Sequence, residues 1–191
     1  MGGLVNVLIV QLDGKLPNLA LMRVASHHRN QGDTVLLRKN EHSRLWDPEW
    51  DRVYISLIFT KTRNKGERAV KSWPNAFIGG TGWDEKVTLE KTCGIVSTGV
   101  DYTDHPEFQQ SIGFTQRGCR LKCPFCVVPT KEGKVRPNMT IDQVWRGYPW
   151  PRELILLDND FFGQGTGGQG SKRSGTVSSR SISARASMPG C

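Results

Sequence analysis

The sequence predicts an α/β fold built on a parallel sheet, and three features predict it. Val5–Val10 (VNVLIV) is a nearly unbroken apolar run that stops at Asp13-Gly14, the pattern of a strand covered on both faces. Strand-like runs then alternate with stretches of helix length, which implies parallel strands joined by right-handed crossovers. A further buried run, Glu153–Leu157 (ELILL), is followed by Asp158-Asn159-Asp160 at its C-terminal end, where parallel sheets bind ligands.

The elements follow in order. Pro17 stands where a first helix would start. Leu19, Ala20, Met22, Val24 and Ala25 supply its apolar spacing, and Gly32-Asp33 closes it. His27-His28 in this helix carries no ligand partner at metal spacing and reads as a solvated face. Thr34–Leu37 is a second strand, and Val53–Phe59 (VYISLIF), β-branched and aromatic, a third. Ala76-Phe77-Ile78 is a short fourth that ends in Gly79-Gly80-Thr81-Gly82. No G-x-G-x-x-G follows the first strand, so this glycine cluster reads as a tight turn rather than a phosphate cradle. Ile112–Thr115 is a short strand leading into a group of cysteines. Thr140 is placed to N-cap a helix over Thr140–Trp145.

These elements suggest a first domain over residues 1–108 and a second over 109–164. Residues 165–191 are dominated by Gly and Ser, with almost no large apolar side chain, and predict a disordered tail. The whole chain has 191 residues, 37% hydrophobic and 23% charged, enough to bury a sizeable core. Its longest apolar run falls well short of a membrane helix, and no signal peptide is visible, which points to the cytoplasm. The net charge is +8, but Lys172, Arg173, Arg180 and Arg185 of the tail supply half of it, with no acid among them. Such a tail holds polyanions weakly, and the ordinary charge left on the rest argues against specific nucleic-acid recognition.

Five cysteines are an odd number, and Cys119, Cys123 and Cys126 are packed into eight residues. That is a poor disulfide framework and a good metal or redox one. The spacing is C-x₃-C-x₂-C, on a loop where Arg117, Arg120 and Lys122 favour the thiolate. A structural zinc site wants four ligands, and the fourth would have to be Cys93, His105 or Cys191, none at motif spacing. Cys93 reads as a buried thiol acting as a small apolar group. Lys131, Glu132 and Lys134 belong either to a cofactor or substrate contact or to a solvated loop.

The motif, with Phe125 just before the last cysteine, resembles the cluster loop of the radical S-adenosylmethionine superfamily. The flanking segments GFTQRGC, CPFCVVPTKEGK and LILLDNDFFG are similar to those of an uncharacterised bacterial and phage group of that superfamily. NLALMRVASHHRNQGDTVLL, DRVYISLIFTKT and FIGGTGWD are similar to that group's leading Rossmann-like domain, itself of a cobalamin-binding type. The resemblance implies a Rossmann-like parallel sheet followed by the beginning of a partial (βα)6 barrel. It implies that Cys119, Cys123 and Cys126 ligate a [4Fe–4S] cluster whose fourth iron is chelated by S-adenosylmethionine. One electron would then cleave the sulfonium carbon–sulfur bond, and the 5′-deoxyadenosyl radical would abstract hydrogen from an unknown substrate. Phe125 would contact the adenine, and Asp158 and Asn159 would approach the cofactor from the side. A flavodoxin- or ferredoxin-like protein would donate the electron.

Two departures qualify this. Where related domains carry Asp-x-His-x-x-Gly, this chain has Asp13-Gly14-Lys15-Leu16-Pro17-Asn18, without the histidine, so no cobalamin is expected. Past Cys126 there is one clear strand, so the barrel is expected to be truncated, and the Gly/Ser/Arg tail fits a frameshifted or incomplete reading of the gene. The alternative is a non-enzymatic iron–sulfur or zinc-binding module whose basic tail contacts nucleic acid.

Overall fold

The computed structural model of the chain describes residues 4–88, 92–96 and 99–161. The chain divides into two compact units, one running to Glu107 and the other starting at Phe108. The expected tail, 165–191, lies outside the described residues.

The first unit is a four-stranded parallel sheet. In chain order its elements are β1 (Asn6–Gln11), α1 (Leu19–Arg29), β2 (Thr34–Arg38), β3 (Arg52–Ser56), α2 (Arg63–Ser72) and β4 (Phe77–Gly79). The strands lie side by side as β2-β1-β3-β4, with Leu8 of β1 opposite Leu36 on one side and Val53 on the other. β1 is central and buried on both faces, as its unbroken apolar run requires. One core layer sets Leu8, Val10, Val53 and Ile55 against Ala69 and Trp73. The other sets Val7, Ile9 and Tyr54 against Leu21, Val24 and Ala25 of α1. Helices therefore cover both faces of the sheet.

Local chemistry explains where elements begin and stop. α1 starts one residue past Asn18, whose side chain accepts from the Ala20 and Leu21 amides at 3.1 and 3.2 Å. The same carboxamide donates to Ser56 Oγ on β3 at 2.8 Å. The strand expected over Val53–Phe59 stops at Ser56. The Ile58 and Phe59 amides turn to the Asp13 carboxylate, at 2.8 and 2.9 Å, instead of continuing a ladder. The run Gly79-Gly80-Thr81-Gly82 is a turn pressed against the chain after β3. A side chain at Gly80 would strike the Leu57 backbone, and one at Gly82 the Phe59 backbone.

One expectation is corrected here. His28 does not face solvent; it is 2% exposed. Its Nδ1 lies 2.7 Å from Asp33 Oδ2 and its Nε2 3.1 Å from the Tyr54 hydroxyl. The α1 face that carries it is the one turned to the sheet, so a buried polar chain replaces the solvated surface.

The second unit contains β5 (Ser111–Gly113), β6 (Gln116–Arg117), α3 (Val128–Lys131), β7 (Arg136–Pro137), α4 (Ile141–Val144) and β8 (Leu154–Leu156). β5 and β8 pair in parallel, Ile112 opposite Ile155. α4 packs on β5 through Val144, which fills the space over Gly113. Thr140 caps α4 as expected, in a reciprocal box with Gln143. β6 and β7 form a small antiparallel ribbon, Arg117 opposite Arg136. Among the described residues this unit is a single parallel pair with its crossover, of the α/β class but short of a barrel. No helix among them is long and apolar enough to cross a membrane.

Candidate functional site

The three cysteines lie on the loop between β6 and α3, just beyond the C-terminal end of β5. All three are half-buried free thiols. The loop leaves β6 through Gly118, whose φ is +81° and whose absent side chain would strike the carbonyl of Lys134. Only glycine combines that conformation with that approach. The Cys119 amide then donates to the Gly133 carbonyl at 3.2 Å, which closes the loop on itself.

Glu132 is the residue on which this closure depends. Its Oε2 accepts from the Gly118 amide at 2.9 Å and from Asn159 Nδ2 at 3.1 Å. Its Oε1 lies 3.1 Å from Arg117 Nη2. One carboxylate thus joins the start of the loop, its end, and the segment after β8. Arg117 also lies flat over Phe114, 3.9 Å from the ring centre.

The Asp158-Asn159-Asp160 run at the end of β8 holds both the loop and the segment that leads into it. Asp158 accepts from the amides of Thr115 and Gln116, at 2.8 and 3.2 Å, and from the Thr115 hydroxyl. Asn159 donates to Glu132. Asp160 accepts from the Arg120 amide at 3.1 Å and pairs with its guanidinium at 3.2 Å. Of the residues expected to flank a cofactor, Asn159 therefore reaches the cysteine loop through Glu132, and Asp158 reaches the segment that leads into it.

The thiols have a chemistry suited to ligation. The Leu121 amide points at Cys119 Sγ at 3.4 Å. The Cys126 amide donates to the Cys123 carbonyl at 3.0 Å, so the second pair sits on a tight turn. Phe125 stands out from this turn, 64% exposed. Among the described residues no three His, Cys, Asp or Glu side chains are gathered as a site for a single metal ion. The donor set itself, three reduced thiols on one glycine-hinged loop in cationic surroundings, suits a thiolate-bound cluster, whose ligands spread over separate iron atoms.

Of the proposed fourth ligands for zinc, Cys93 and His105 belong to the first unit and Cys191 lies outside the described residues. Burial pushes the Cys93 thiol up, the wrong direction for a ligand. Burial, ahead of nearby Lys39, lowers His105. Sequence reasoning left Glu132 undecided between a contact and a solvated loop and did not see Gly118 as a hinge. The available signal was the Gly118-Cys119 and Glu132-Gly133 pairs at either end of the cysteine run. No family model, curated protein or solved structure matches the chain.

Proposed function

We propose that the chain is of the radical S-adenosylmethionine type, a Rossmann-like first unit followed by a second that carries Cys119, Cys123 and Cys126 as the ligands of a [4Fe–4S] cluster. One observation carries the reading. Three reduced thiols share a loop that Glu132, Asn159 and Asp160 tie to the C-terminal end of a parallel strand pair, while Asp158 holds the Thr115–Gln116 segment that leads into it. That end is where parallel α/β folds place their chemistry.

When bound with S-adenosylmethionine, such a cluster supplies one-electron cleavage of the sulfonium carbon–sulfur bond. The chain's own residues have simpler tasks. The cysteines would hold iron as thiolates, on a loop that also carries the Leu121 amide beside Cys119 and the Arg120 and Lys122 cations. Gly118 and Glu132 fix the loop's two ends. Phe125 offers an exposed ring for an adenine face. Asn159 holds the loop through Glu132, and Asp158 holds the Thr115–Gln116 segment that leads into it. In this reading the parallel pair begins a partial barrel, and an electron donor of flavodoxin or ferredoxin type works with the chain in a reducing compartment such as the cytoplasm.

The test is anaerobic reconstitution with iron and sulfide, then reduction with and without S-adenosylmethionine. The reading expects a cubane paramagnetic signal that changes shape when S-adenosylmethionine is added and is absent from the C119S/C123S/C126S variant. Tightly bound stoichiometric zinc with no such signal overturns it in favour of a structural metal module.

A further inference from the structure

Residues 117–136 carry Arg117, Arg120, Lys122, Lys131, Lys134 and Arg136 against the single acid Glu132. That is a net of +5, where the whole chain has +8 and the tail has +4, so everything else is within one charge of neutral. The cysteine segment is thus the charged centre of the described protein. Two of its cations are matched by carboxylates: Arg117 by Glu132 and Arg120 by Asp160. Lys122, Lys134 and Arg136 are exposed and have no carboxylate partner among the described residues. Lys122 lies on the loop whose ends are joined by the Cys119 amide and the Gly133 carbonyl, next to which Lys134 follows in sequence. Lys134 backs onto Gly118, and Arg136 faces Arg117 across the β6–β7 ribbon. Phe125, on the same loop three residues after Lys122, is 64% exposed.

We infer that this face of the cysteine loop binds a single-stranded nucleic acid, with phosphates on Lys122, Lys134 and Arg136 and a base on the Phe125 ring. The inference does not require the thiols to hold a cluster; S-adenosylmethionine, which the proposed function sets on the same Phe125 ring, would compete with the base for it. Cations without carboxylate partners on one segment with an open aromatic ring are what strand binding needs, because every base has a π-face and every linkage a charge. An acidic protein fits less well. Protein interfaces cluster apolar residues at a centre poor in charge and avoid lysine. Here Arg120, Leu121 and Lys122 alternate residue by residue, and two of the three unmatched cations are lysines.

The test is the salt dependence of binding of a fluorescent oligouridylate to the full, reduced chain. Three phosphate contacts predict a slope of log K against log salt of about −2, and K122Q/K134Q should reduce it to about −0.7. Phe125→Ala should weaken binding about tenfold without altering the slope. A K172Q/R173Q/R180Q/R185Q variant controls for the tail and should keep the dependence on Lys122 and Lys134. The inference is overturned if K122Q/K134Q leaves the slope unchanged, if the tail variant alone removes binding, or if a polyglutamate peptide of equal charge binds as tightly. Cysteine-to-serine replacement, which abolishes any cluster, should leave this binding intact; its loss would overturn the claimed independence.

Discussion

Replacing Glu132 by Ala is the sharpest probe of the cysteine loop. The change strips an acceptor from three groups at once: the Gly118 amide, the Asn159 carboxamide and the Arg117 guanidinium. A bond to an ionised acceptor contributes about 1.5–3 kcal/mol, but three bonds to one carboxylate do not add. Arg117, with its side chain 29% exposed, recovers part of its loss in water and over the Phe114 ring. The Gly118 amide, in a buried residue, recovers least. The net cost should be about 2–3 kcal/mol, confined to the loop. Amide exchange from Gly118 to Cys126 should accelerate by about 30- to 150-fold, while the β1 amides of the first unit keep their protection. Glu132→Gln, which keeps an acceptor for Gly118 but not the charge for Arg117, should fall between. Unchanged exchange in Glu132→Ala would refute the idea that this carboxylate closes the loop.

The remaining predictions concern single elements. Gly118→Ala forces a side chain onto the Lys134 carbonyl at a positive φ, so reconstituted iron content should fall severalfold while the first unit's thermal transition stays in place. Arg38 holds the Asp47 carboxyl down to about 2 from 3.8, so the pair's contribution is complete above about pH 4 and vanishes as pH falls towards 2. Urea unfolding across that window should show about 2 kcal/mol more pH-dependent loss in the native chain than in an R38M/D47L variant. Burial, outweighing Asp33, lowers His28 below 6.5; the folded state therefore binds its proton later than the unfolded chain. Stability from this site is whole above pH 6.5 and declines as pH drops through the lowered value, and a ring titration by NMR with a midpoint at or above 6.5 would contradict it.

What could be read from the residues was whatever depends on near neighbours. The apolar run of β1, the cap at Thr140 and the spacing of the cysteines each lie within a few residues of what they determine. α2 did not announce itself, because its sequence RNKGERAVKS is mostly polar and carries a glycine at its centre. The structure supplies the reason: the Trp83 ring lies where a side chain at Gly66 would sit. The end of β3 was hidden in the same way, since the competitor for its amides is Asp13, some 45 residues earlier. Burial of His28 depends on Tyr54 and Asp33. In the second unit, Glu132 and Asp158 act on partners 14 and 43 residues away. Such pairings are settled by topology, and no local window contains them.

The carboxamide of Asn18 has a bearing on the order of assembly. It satisfies the first amides of α1 with one atom and holds Ser56, 38 residues downstream, with the other. The opening turn of that helix is consequently locked only when the third strand has reached its place beside the first. Rate measurements on Ser56→Ala should therefore show the effect in unfolding far more than in folding, marking this junction as a late latch rather than a seed.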